Sequence, residues 1–145
     1  FNASSNDWTT ALGMYYGKEA YAKGFYGAVV MQRSQNNQLA PQGSVVGVTN
    51  FFDARGSESF LSYTWGRDNC YSFYGGHNYL ESDDPEFDAA LVQGDKYRLE
   101  QYYLGFQYRW NERVRIYFEN AFDSSNVVAR PEFDSFNAIG IRIDI

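Results

Sequence analysis

Residues 97–122 read YRLEQYYLGFQYRWNERVRIYFENAF. In the first half of this stretch Tyr102, Leu104, Phe106, Tyr108 and Trp110 fall on one side of a two-residue period. Gln101, Tyr103, Gly105, Gln107 and Arg109 fall on the other. Successive side chains of a β-strand point to opposite faces, so this alternation predicts a strand with one apolar and one polar face. Asn111, Glu112 and Arg113 supply a tight turn. Beyond it Val114, Ile116, Phe118 and Phe122 share one face, with Asn120 as an exception, against Arg113, Arg115, Tyr117, Glu119 and Ala121. The pair reads as a long antiparallel hairpin. Its strands approach the roughly 9–11 residues that cross a membrane, whereas ordinary strands run about 5–6.

The pattern continues in both directions. At the end of the chain Ile139, Ile141, Ile143 and Ile145 alternate with Ala138, Gly140, Arg142 and Asp144. Upstream, Phe60 to Trp65 and Cys70 to Leu80 flank a short turn at Gly66-Arg67-Asp68-Asn69. Leu61, Tyr63 and Trp65 share one face, and Tyr71, Phe73 and Tyr79 are expected on the same side. Trp8 to Tyr16 and Phe25 to Arg33 flank a turn containing Gly17, Lys18, Lys23 and Gly24. Short turns near 17–24, 66–69 and 111–113 alternate with long polar loops near 34–58, 81–96 and 124–135. Outer-membrane barrels show this asymmetry, with short periplasmic turns and longer extracellular loops. Each short turn follows an aromatic residue: Tyr16, Trp65 and Trp110. With Tyr108 these are expected to form a girdle at the inner membrane interface.

Composition agrees with a wall between two solvents. Aromatic residues make up 19% of the 145-residue chain, yet mean hydropathy is only −0.52. Strands that meet lipid on one face and water on the other average out in this way. No run of about eighteen apolar residues exists to form a transmembrane helix. The net charge of −6 and the scattered Lys and Arg argue against a nucleic-acid partner. Cys70 is the only cysteine, so no intramolecular disulfide or cysteine metal site is expected. His77 is the only histidine, and no serine lies in a nucleophile motif, so no catalytic residue, metal or cofactor is assigned. The acidic run Glu81, Asp83, Asp84, Glu86, Asp88 offers oxygens to a divalent cation but lacks the spacing and glycine of an EF-hand loop. A solvated loop is the plainer reading. Phe1 to Asp7 show neither charged start nor apolar core, so either a leader has been removed or the natural start lies upstream.

This count gives about seven strands in one domain, residues 1–145. Single-chain bacterial barrels have an even number, eight or more, and an open sheet in lipid leaves backbone groups unpaired at several kcal/mol each. Two solutions are open. The chain is the C-terminal portion of a larger barrel, or Val45 to Phe52 form an extra strand, with a turn at Asp53-Ala54-Arg55-Gly56, completing an eight-stranded small barrel.

The segments GFYGAVVMQ (24–32), SFLSYTWGRDNCYSFYGGHNYLES (59–82), YRLEQYYLGFQYRWNERVRIYFENAFDSSN (97–126) and FNAIGIRIDI (136–145) resemble the final strands of Gram-negative general porins. The resemblance covers most of the chain from about residue 8, through loose motifs whose strength is their order. It implies an antiparallel, sixteen-stranded, trimeric β-barrel of the outer membrane, in contact with lipid and lipopolysaccharide, that passes small hydrophilic solutes and ions by diffusion. Gly140, Ile143 and Ile145 match the glycine and the last two apolar positions of the signal read by the barrel-assembly machinery. Ile145 departs from the family's usual terminal aromatic. The family's constriction comes mostly from its N-terminal half, so no selectivity residue is carried over.

On this reading Gln101, Gln107, Arg109, Arg115, Tyr117, Glu119, Arg142 and Asp144 line the lumen, where charged rings bias ion passage. The plainer alternative is that Arg115, Glu119, Arg142 and Asp144 pair across neighbouring strands at the periplasmic rim. Three other functions compete. A complete eight-stranded barrel would act in adhesion, binding or membrane integrity with a filled lumen. A soluble barrel would bury its apolar face inward and need no detergent. An outer-membrane hydrolase would depend on His77.

Overall fold

The computed structural model describes residues 8–39, 51–85, 87–88, 96–126 and 135–144. The described residues form seven strands: β1 (Trp8–Tyr16), β2 (Gly24–Leu39), β3 (Phe51–Trp65), β4 (Tyr71–Ser82), β5 (Arg98–Arg109), β6 (Val114–Asp123) and β7 (Phe136–Ile143). They make a single sheet in the order β1-β2-β3-β4-β5-β6-β7. Every neighbouring pair is antiparallel. The sheet is an up-and-down meander, not closed on itself: β1 and β7 are its two edges.

Turn chemistry sets the register at the short connections. In the β5–β6 turn the Asn111 side-chain oxygen accepts the N–H groups of Arg113 and Val114, at 2.8 and 2.9 Å. The Trp110 N–H donates to the Val114 carbonyl at 3.0 Å. An asparagine that folds its side chain onto the backbone ahead closes such a turn locally. The β3–β4 turn needs a positive φ at three of its four positions, Gly66 (φ 89°), Asp68 (φ 56°) and Asn69 (φ 55°). Gly, Asp and Asn are the residues that enter the left-handed region at least cost.

The strands extend further than the hydrophobic pattern indicates. β2 has 16 residues and β3 has 15, and both enter the segment 34–58 expected to be loop. Residues 34–38 of β2 and 53–58 of β3 are mostly polar, so hydropathy could not separate them from a loop. The turn required by the eight-strand count is absent: Asp53-Ala54-Arg55-Gly56 runs straight through β3. Ala54 pairs with Ser34 on one side and Ser82 on the other. Phe51 and Phe52 begin β3, while residues 45–50 lie outside the described residues. The irregularity in this region is a register shift between Ser34 and Gln38.

Burial is inverted relative to a soluble sheet. Along β3, Leu61 is 53% exposed while Ser62 and Thr64 are 3% and 1% exposed. Tyr71 and Phe73 are open and Ser72 and Tyr74 are buried. Ile139 in β7 is 81% exposed. A layered soluble domain covers its apolar sheet face with a second layer; no second layer covers this one among the described residues. The small buried cluster of Phe52, Ala54, Phe87 and Tyr97 lies on the opposite, polar face. There Phe87 stacks on Phe52 with ring centroids 4.1 Å apart. The buried Asp88 carboxylate accepts the Tyr97 N–H at 2.8 Å, tying Asp88 to the residue that precedes β5.

Candidate functional site: the two faces of the sheet

The register turns single-residue alternation into two continuous surfaces. On the first, the aromatic face, Tyr63 stacks on Trp65 of β3, Trp65 meets Tyr71 of β4, and Tyr71 meets Phe106 and Tyr108 of β5. Ring centroids are 5.7 Å apart for Tyr63–Trp65, 5.9 Å for Trp65–Tyr71 and 5.4 Å for Tyr71–Tyr108. Tyr16 and Phe25 extend this belt across the β1–β2 turn, at 6.3 Å. Trp110 stands just past the end of β5 and is 68% exposed. Tyr16, Trp65, Tyr108 and Trp110 therefore all belong to the turn end of this face. Asn120, the exception to the apolar pattern, pairs with Asn137, and its side-chain amide donates to Asn137 Oδ1.

The same face becomes charged toward the loop end. Arg55 donates to Glu81 at 2.6 Å. Lys96 reaches Glu81 at 3.0 Å, and Arg33 and Lys96 both lie 3.8 Å from Asp83. His77 Nε2 lies 3.0 Å from Glu100 and its ring stacks on Tyr102 at 4.4 Å. Glu81 and Asp83 of the acidic run are thus in ion pairs, Asp84 takes the Phe87 N–H at 3.1 Å, and Asp88 is buried. Among the described residues no group of His, Cys, Asp and Glu could hold a metal ion. Glu86 lies outside the described residues.

The second, polar face carries all eight residues predicted to line the lumen, arranged in cross-strand rows. Toward the loop end Glu58, Asn78, Gln101 and Asp123 are successive direct partners across β3 to β6. Next comes a row of Phe60, Gly76, Tyr103 and Ala121, then one of Ser62, Tyr74, Gly105 and Glu119. The Tyr74 hydroxyl donates to Glu119 at 3.0 Å. Thr64, Ser72, Gln107, Tyr117 and Gly140 form the following row. The last, at the turn end, is Arg109, Arg115 and Arg142. Asp144 lies beside it, 3.3 Å from Arg115 and 2.8 Å from Arg142.

Three glycines of this face each sit directly opposite a tyrosine: Gly76 with Tyr103, Gly105 with Tyr74, and Gly140 with Tyr117. In each pair the ring lies where a side chain on the glycine would be, the arrangement by which an aromatic covers a bare stretch of strand. Gly140 thus has a packing role in the sheet in addition to its place in the terminal pattern. Ile143 ends β7 on the aromatic face, and Ile145 lies outside the described residues.

Tyr21 was not singled out by the periodicity because it sits in a turn. It adopts φ 66° and folds onto the polar face, 5.9 Å from the Phe60 ring and 5.7 Å from Tyr74. Burial, reinforced by the Glu119 carboxylate, pushes its phenol pKa up. Phe60, Tyr74 and Tyr103 were not named as candidate residues. Alternation put Tyr103 on the polar side, where the register confirms it, but it gave no reason for an aromatic residue to stand there.

Compared with family models, curated proteins and solved structures, the chain matches none.

Proposed function

We propose that this sheet is part of the wall of a closed outer-membrane β-barrel, the C-terminal portion of a porin that passes small hydrophilic solutes and ions by diffusion. The observation that carries the reading is the opposition of faces: exposed aromatic and aliphatic side chains on one side, with polar, charged and small residues on the other. In lipid the first face is solvated by acyl chains and the second borders water. The open edges support a fragment of a larger barrel, because unpaired backbone groups in hydrocarbon cost several kcal/mol each. The aromatic belt at the turn end marks the periplasmic interface, and the charged end of the aromatic face meets headgroups, including lipopolysaccharide. Assembly as a trimer and insertion by the barrel-assembly machinery follow from the porin reading. No catalytic residue is assigned.

The covering of Gly76, Gly105 and Gly140 by tyrosines favours a second reading: a small barrel with a filled lumen, acting in adhesion, binding or membrane integrity. One experiment separates the two. The protein carrying this chain is purified from its outer membrane and reconstituted in a planar bilayer. Stepwise ohmic conductance, with sugar-driven swelling of liposomes, is the expected result. Stable insertion without conductance would replace the porin by the filled barrel.

A further inference from the structure

We infer that the arginine row at the turn end of the polar face is a binding site for small oxyanions, such as phosphate or the carboxylate of a solute. The inference rests on the channel reading only for its biological use, since the site itself is a property of the sheet.

Arg109 pairs directly with Arg115, and Arg115 directly with Arg142. Alternation puts all three on one face, so three guanidiniums stand side by side on adjacent strands. Like charges directly opposite one another destabilise a sheet, so a row of this kind calls for counter-charge. Among the described residues the row has one carboxylate, Asp144, shared between Arg115 and Arg142. Arg109 is held by the Asp68 carbonyl, which fixes its position without neutralising it. Glu119 lies four residues from Arg115 along β6, about 13 Å at strand rise, and is engaged by Tyr74. The row therefore keeps an excess of positive charge.

The planar guanidinium fork matches carboxylate and phosphate oxygens. The Arg142 side chain is 66% exposed, so its guanidinium is open to an oxyanion against the row, which would supply the missing counter-charge. The positive row stands at one end of the polar face and the Glu58–Asp123 row toward the other. An anion entering from the turn end is attracted first and opposed further along.

The test uses the protein carrying this chain, in detergent and in planar bilayers, with inorganic phosphate as the probe. Phosphate binding is followed by calorimetry, and ion preference by the reversal potential in a potassium chloride gradient. The variants are Arg115→Gln and Arg142→Gln. Arg67→Gln removes an exposed turn cation outside the row as a control. The row variants are expected to weaken phosphate binding roughly tenfold, the scale of one hydrogen bond to a charged group, and to shift the reversal potential toward cations. The control should do neither. Arg142 is the more exposed of the two, so its variant reports even where Arg115→Gln fails to fold. Equal phosphate affinity in the row variants and the control, or no phosphate binding at all, overturns the site. Phosphate binding lost in the row variants of a protein that does not conduct keeps the site and removes the porin. Conductance without phosphate binding keeps the porin and removes the site.

Discussion

Leu104→Arg tests which phase the aromatic face meets, and its magnitude can be worked from the strand. On this face of β5 the order is Glu100, Tyr102, Leu104, Phe106, Tyr108, with Trp110 just beyond the strand. Leu104 is four residues from Glu100 and six from Trp110. At about 3.4 Å per residue these are about 14 and 20 Å along the strand. With a tilt near 40° they become about 10 and 16 Å along the membrane normal, together close to the roughly 25 Å apolar band of such barrels. Leu104 thus falls within about 3 Å of the midplane, where an arginine costs about 2–4 kcal/mol. That is roughly 30- to 1,000-fold in the folding equilibrium. In water the half-exposed leucine would tolerate arginine within about 0.5 kcal/mol. The assay is urea unfolding of the protein carrying this chain in phosphatidylcholine vesicles, followed by tryptophan fluorescence. Gln101→Arg, on the opposite face of the same strand, is the control and should shift stability by less than about 0.5 kcal/mol. A Leu104→Arg change as small as the control's would refute the assignment of this face to lipid.

Four further outcomes follow from particular contacts. Gly105→Ala puts a methyl into the space of the Tyr74 ring and should destabilise by about 1–3 kcal/mol, the usual cost of overpacking, in the same unfolding assay. Tyr74→Phe keeps the ring over Gly105 and removes only the bond to Glu119; a loss of about 1.5–3 kcal/mol is expected for a bond to a charged acceptor, and no loss would show that bond to be unimportant. Tyr21 contributes stability that is fully present below its ordinary pKa near 10 and is lost as pH rises through its raised folded value, so Tyr21→Phe should flatten the alkaline fall in stability measured by unfolding at stepped pH. Trp8, Trp65 and Trp110 all face the aromatic side, so bromine-labelled lipid should quench their fluorescence strongly; emission unchanged by the label would place that face out of contact with lipid.

Much of the architecture was legible because a sheet with one apolar and one polar face writes those faces into alternate residues. The seven strand positions, the three short turns and the common face of Gln101, Gln107, Arg109, Arg115, Tyr117, Glu119, Arg142 and Asp144 all follow from parity within single strands. Where chemistry and face disagree, parity gave the face of a residue but not the reason for it. Tyr74 and Tyr103 are aromatic residues on the polar face, and they stand there because Gly105 and Gly76 opposite leave room for a ring. The outer halves of β2 and β3 read as loop because polar residues such as Ser34, Gln35, Asp53, Arg55 and Glu58 occupy both parities there. In such a segment only backbone pairing distinguishes strand from coil.

Alternation by itself determined strands with one apolar and one polar face and set the face of most residues, while the short turns between them made the pairing antiparallel. A period of two is a local property of the extended chain, so it needs no knowledge of partners. Only the tertiary structure decided which residues stand beside one another. Register depends on turn geometry and on bulges such as the shift between Ser34 and Gln38, which move a whole strand relative to its neighbour. That is why Arg109, Arg115 and Arg142, separated by up to 33 positions, become a single row of charge. It is also why Tyr21, Phe87 and Tyr97 lie on the polar face, held by contacts that no periodicity within their own segments encodes.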